Sequence, residues 1–85
     1  MGRKKLLKKL KEYFDMDARS RMQQKDEMNQ LLSRLKQKEN DLKEEFEQEI
    51  DKKKKRVLAQ KIDVVHSQRK KGVQMLIDLR NETEQ

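Results

Sequence analysis

The stretch EFEQEIDKKKKRVLAQKIDVV, residues 45–65, changes sign in its middle. Glu45, Glu47, Glu49 and Asp51 come first, and Lys52, Lys53, Lys54, Lys55 and Arg56 follow at once. It is the centre of one long helix, a turn between two helices, or a charged binding site, and the architecture depends on which.

The flanking residues favour the turn. Upstream, Met28, Leu32, Leu35, Glu39, Leu42 and Phe46, then Glu49 or Ile50, recur at alternating spacings of four and three. That is the apolar seam of a helix packed on another helix. The pattern fails at Lys53 and Lys54 and resumes as Leu58, Ile62, Val65, Arg69, Gly72, Leu76 and Leu79. Each half carries one charged intruder, Glu39 in the first and Arg69 in the second. Folded back about a centre at residue 54, the seams match layer by layer. Phe46 faces Ile62, Leu42 faces Val65, Leu35 faces Gly72, Leu32 faces Leu76 and Met28 faces Leu79. Ile50 meets Leu58, and the two intruders meet with opposite sign. A buried ion pair contributes little net stability but penalises register slips and parallel pairing, so Glu39 and Arg69 are read as an interhelical register pair.

The spacing therefore predicts an antiparallel, coiled-coil-like hairpin. Its first helix runs over about residues 20–50, its turn over about 51–56 and its second helix over about 56–80, with Asp51 as N-cap of the second. Two alternatives stay open. A continuous helix would gain Glu49–Lys53 and Asp51–Lys55 pairs, each worth about 0.2–0.5 kcal/mol. It would also avoid placing acids at a helix C-terminus and lysines at an N-terminus, each costing about 0.3–1 kcal/mol. A turn at Asn40-Asp41 has its own cap signal in Asp41 with Glu44.

Ahead of the hairpin, residues 1–16 form a second unit. In GRKKLLKKLKEYF, residues 2–14, Leu6, Leu7, Leu10, Tyr13 and Phe14 share one helical face and the lysines take the other. Asp15-Met16-Asp17 interrupts the pattern, and Asp17, or Ser20 in a capping box with Gln23, starts the next helix. The fold class is all-α: an amphipathic N-terminal helix, then a hairpin over residues 17–85. A further apolar set, Leu31, Val57, Val64, Val73 and Ile77, lies beside the seam. Two helices alone bury little, so this set predicts a homodimer that closes a four-helix bundle. The N-terminal helix folded over Met28, Leu31 and Ile77 is the other way to cover it.

Composition sets the outer limits. Hydrophobic residues are 32% and charged residues 46% of 85, which rules out a conventional globular core. Proline is absent and the glycines are Gly2 and Gly72, so helix is uninterrupted over long stretches. The longest apolar run is Met75-Leu76-Ile77, far too short to cross a membrane. There is no cysteine, which excludes disulfides and thiolate chemistry and fits a cytoplasmic protein. No secretory signal follows the basic start.

An enzyme is not expected. His66 is the sole histidine, and no cysteine or second histidine is there to complete a metal site. Ser67 next to it points elsewhere on a helix, so His66 is read as a flank residue beside Val65. The acids of residues 39–51 lack the Glu-x-x-His pairs of di-iron bundles and read as a solvated face. No metal, cofactor or catalytic residue is assigned.

The main functional expectation is a non-enzymatic helical-hairpin interaction protein, a scaffold or adaptor that self-associates. The head carries Arg3, Lys4, Lys5, Lys8, Lys9 and Lys11 with no acid among residues 1–11, and Lys70 and Lys71 add to a possible anion- or phosphate-binding set. The alternatives are therefore backbone-driven nucleic-acid binding and a peripheral membrane protein anchored on anionic lipid. The simplest reading of the head is a helix docked on the bundle with its lysines in solvent.

Overall fold

The computed structural model describes residues 2–83, with side chains through Asn81. Within them lie four helices and no strand: α1 (Arg3–Asp15), α2 (Ala18–Gln23), α3 (Lys25–Gln48) and α4 (Lys52–Thr83). The molecule measures 51 × 21 × 16 Å. α3 and α4 form the antiparallel hairpin and make the most extensive helix–helix contact.

The turn is shorter than expected and lies earlier. It consists of Glu49, Ile50 and Asp51, and the lysine run is the first turn of α4. Two carboxylates make this possible without glycine. Glu49 leaves the helix with extended backbone, and its Oε1 accepts from the N–H groups of Ile50 and Asp51 at 3.1 Å each. Asp51 Oδ1 then accepts from the N–H of Lys53 at 2.8 Å and of Lys54 at 3.3 Å, and its carbonyl accepts from Lys55. Asp51 is thus the N-cap of α4, satisfying donors that a helix start leaves open. The predicted turn at 51–56 fails because lysine is a good helix former once a cap is in place. The expected Ile50–Leu58 layer is also absent: Ile50 sits in the turn, 93% exposed, while Leu58 is buried. Lys55 Nζ instead lies 4.8 Å from the Phe46 ring centroid, a cation–π contact across the hairpin.

The other boundaries differ in smaller ways. α3 runs through Asn40-Asp41 unbroken, and Asp41 accepts from Gln37 instead of capping a helix. The first hairpin helix does not begin at residue 20, because Gln24 leaves helical geometry and separates α2 from α3. Asp17 caps α2, its Oδ1 accepting from Ser20 N–H at 2.8 Å. Ser20 therefore lies inside α2, and the Ser20–Gln23 capping box does not form. The Ser20 backbone bond holds the Asp17 carboxyl below its ordinary range. Arg21 ties the α1–α2 corner with Nε and Nη2 both donating to the Met16 carbonyl, at 3.1 and 2.8 Å.

α1 docks on the hairpin through the face its leucines define. Leu6, Leu10 and Tyr13 are buried, in one core with Met28, Leu31, Leu32, Leu35 and Val65. Tyr13 donates its hydroxyl to Glu27 at 3.1 Å near the start of α3, Leu10 meets Gly72, and Lys4 and Leu7 share a cleft with Val64. α1 therefore runs antiparallel to α3 and alongside α4. The core is concentrated at this three-helix end. Gly72 is what lets the helices close there. A Cβ on it would stand 2.7 Å from Leu32 Cδ2 and 3.2 Å from Leu10 Cδ1. Its close neighbours are thus Leu32 and Leu10, where the spacing had placed Leu35.

The second apolar set is not one strip. Leu31 is buried beneath α1, which removes part of the expected reason for a dimer. Val57, Val64, Val73 and Ile77 remain exposed. At about 100° per residue, Val57 and Val64 lie on one flank of α4 and Val73 and Ile77 on the opposite flank. α1 occupies the first flank beyond Val64.

Candidate functional site

Three polar regions come out of this packing. The first is built around Glu39, whose position in the seam buries it almost completely, at 3% exposure. Its Oε1 lies 2.8 Å from His66 Nδ1, and its Oε2 lies 3.4 Å from Arg69 Nη2 and 3.6 Å from Lys43 Nζ. Burial pushes the Glu39 carboxyl upward, but the His66 hydrogen bond and the Arg69 and Lys43 charges outweigh it and hold the carboxyl below its ordinary value. The expected Glu39–Arg69 pair meets, yet the closest partner is His66, which the seam spacing places on the flank. The available signal was its spacing: His66 is three residues before Arg69 on α4, so both reach the same side of the interface. No hydroxyl bonds to His66 among the described residues. No cluster of three or more His, Cys, Asp or Glu side chains suited to a metal ion occurs among the described residues. The arrangement sets one buried carboxylate against His66 and Arg69 across the seam and Lys43 along α3.

The second region contains half of the predicted anion-binding set. Lys4, Lys8 and Lys11 of α1 line one cleft with Lys71 of α4, over Leu7, Phe14 and Val64, with Asp15 as the acid present. Lys71 Nζ is held 4.4 Å from the Phe14 ring centroid. Arg3, Lys5, Lys9 and Lys70 do not line this cleft. Docking of the leucine face turns these lysines outward, so the cleft is cationic and open.

The third region has no counterpart among the sequence expectations. On the flank of the hairpin opposite α1, a groove of about 480 Å³ runs between α3 and α4. Lys25, Asn29, Leu32, Ser33 and Lys36 line it from α3, and Arg69, Val73, Leu76, Ile77 and Arg80 line it from α4, with Met22 of α2 at one end. Both rows follow the same spacing of four, three, one and three residues, which is one helical face on each side. The floor is apolar, the walls carry four cations, and no acid lines it. Lys25 and Lys36 make no ion pair among the described residues. Arg69 Nε is buried with no hydrogen-bond partner. Sequence spacing placed Val73 and Ile77 beside the seam but could not say which flank α1 would leave open.

In comparisons with known proteins the chain matches no family model, no curated protein and no solved structure.

Proposed function

We propose that this chain is a non-catalytic helical interaction module, an adaptor or scaffold, that engages a partner through the flank of the hairpin opposite α1. The observation that carries this is the open groove over Leu32, Val73, Leu76 and Ile77. Val73 and Ile77 are more than one-third exposed, and an apolar floor of this kind is stabilised by a partner that removes it from water. The test is a photoreactive residue at Val73, in cells, compared with one at Asp63, which is exposed and lies outside the groove. A discrete adduct at position 73 and none at 63 is the expected result. Equal labelling at both, or none at 73, refutes the module.

Self-association through Val57 and Val64 belongs to the same proposal. A symmetric contact on the other flank would set Lys25, Lys36, Arg69 and Arg80 against their own copies, and like charges facing each other disfavour it. Adducts of twice the chain mass from a photoreactive residue at Val64 would identify such a homodimer. A cytoplasmic setting is part of the proposal and rests on composition. Among the described residues no helix is long and apolar enough to cross a membrane. Anchoring on a membrane surface by α1 would require undocking it, because Leu6, Leu10 and Tyr13 are buried in the core.

Phosphate-backbone binding is the second reading, supported by the meeting of Lys4, Lys8, Lys11 and Lys71 in one cleft. Four engaged cations on duplex DNA correspond to a log–log salt slope of about −3.6. A slope near zero, or one unchanged by Lys8→Ala with Lys71→Ala, eliminates it.

A further inference from the structure

The groove between α3 and α4 is specific about charge as well as shape, and from this we infer that its occupant is an amphipathic helix with acidic flanks, supplied by another protein. The inference rests on the interaction-module reading and adds the chemistry of the partner.

The shape argues for a helix. The rows from Lys25 to Lys36 and from Arg69 to Arg80 each extend about 16 Å at 1.5 Å per residue, which is three turns on either side of the floor. The hairpin already accepts a helix on its other flank, where α1 buries Leu6, Leu10 and Tyr13, an i, i+4, i+7 row. A partner laid into the open groove with the same row of apolar residues would occupy the position related to that of α1, turning three helices into four.

The charge decides which helix. Lys25 and Lys36 stand on one wall without ion pairs, Arg69, already paired with the buried Glu39, stands on the other, and no Asp or Glu lines the groove. The chain holds 16 acids, so their exclusion from this groove is a feature of how the faces are laid out. Carboxylates flanking the partner's apolar row would meet the exposed Lys25 and Lys36 ammonium groups. A second copy of this chain fits poorly: its own groove carries the same cations, its α1 carries Arg3 and five lysines, and in its acid-rich stretch, residues 39–51, Leu42 is already packed against its own core.

The test is a titration of the full chain, with methyl groups observed by NMR, against three synthetic helical peptides of one length and one leucine row. Their flanks are Glu, Gln or Lys. The expected result is that the Glu peptide shifts the methyls of Leu32, Val73, Leu76 and Ile77 and leaves Val57 and Val64 unmoved. Its affinity should fall at least tenfold between 50 and 500 mM salt, on the order expected for several exposed charge pairs. Lys25→Glu with Lys36→Glu, on exposed positions, should weaken the Glu peptide at least tenfold and admit the Lys peptide instead. Circular dichroism and a thermal melt establish that this variant is folded, and Lys25→Gln with Lys36→Gln gives a milder second variant that should lose the salt dependence. Equal binding of all three peptides at these methyls overturns the acidic partner and leaves the interaction module standing. Shifts from vesicles of phosphatidylcholine and phosphatidylglycerol, with none from any peptide, overturn it in favour of a lipid. No shift from any probe overturns it also, while the adduct at Val73 reports separately on whether the groove is used at all.

Discussion

Leu10→Ala tests the docking of α1, on which the location of the open groove depends. Leu10 is fully buried, at 0% exposure, between α3 and α4. Removing a buried leucine side chain down to Cβ costs about 2.7–5 kcal/mol, according to how far the surroundings collapse into the space. Collapse is restricted on one side, because the neighbour there is Gly72, which has no side chain to move. Leu32 can follow by a rotamer change, and α1, as an outer helix, can shift toward the core. These relaxations place the expected cost in the lower part of the range, about 3 kcal/mol. For 85 residues, an unfolding entropy of about 2.1 cal/mol/K per residue converts this to a fall in Tm of roughly 17 °C. The assay is urea denaturation followed by circular dichroism, with Tyr13 fluorescence as a local reporter, since Tyr13 is the only tyrosine and there is no tryptophan. Both probes should move to lower urea together. Lys9→Ala, on an exposed position of the same helix, should stay within about 0.5 kcal/mol. If Leu10→Ala costs no more than Lys9→Ala, α1 is not docked by this face and the assignment of the open flank falls with it.

Glu39→Gln keeps the shape of the buried carboxylate and removes its charge. His66 and Lys43 are about half exposed and can turn to water, so the cost at neutral pH should be about 1 kcal/mol, less than the roughly 1.5–3 kcal/mol of a fully buried hydrogen bond to a charged group. The folded-state carboxyl lies below its ordinary value of 4.5. Its contribution is therefore complete above about that pH and is lost as pH falls through the folded-state value. The melting temperatures of the two proteins should converge in acid, and a gap that stays constant from pH 7 to pH 2 would refute the charge-based account. Asp51→Ala removes the α4 cap and should cost about 1 kcal/mol, with Asp51→Asn recovering most of it. Equal stability of the Ala and wild-type proteins in denaturant melts would mean that the turn does not depend on this cap.

The helical class and the antiparallel pairing of the two long helices were legible in the sequence, because both are written in local periodicity. Alternating steps of four and three residues mark a helical seam wherever they occur, and the single acid and single base on the two seams do meet, Glu39 with Arg69 at 3.4 Å. Asp51 as a cap was legible for the same reason, since capping is chemistry between neighbours. The end of the turn was not, because lysine is compatible with both a loop and a first helical turn, and the choice was made by carboxylates of Glu49 and Asp51 meeting particular backbone N–H groups. His66 was undervalued because a seam pattern sorts residues into facing and flanking, whereas a long polar side chain on the flank can still reach a buried carboxylate. The groove was beyond the sequence altogether. Spacing places Val73 and Ile77 beside the seam, and places the leucines of α1 on one face. Which flank of the hairpin α1 covers is settled by the packing of Leu10 against Gly72 and Leu32, and only that choice leaves Lys25, Lys36 and Arg69 around an open apolar floor.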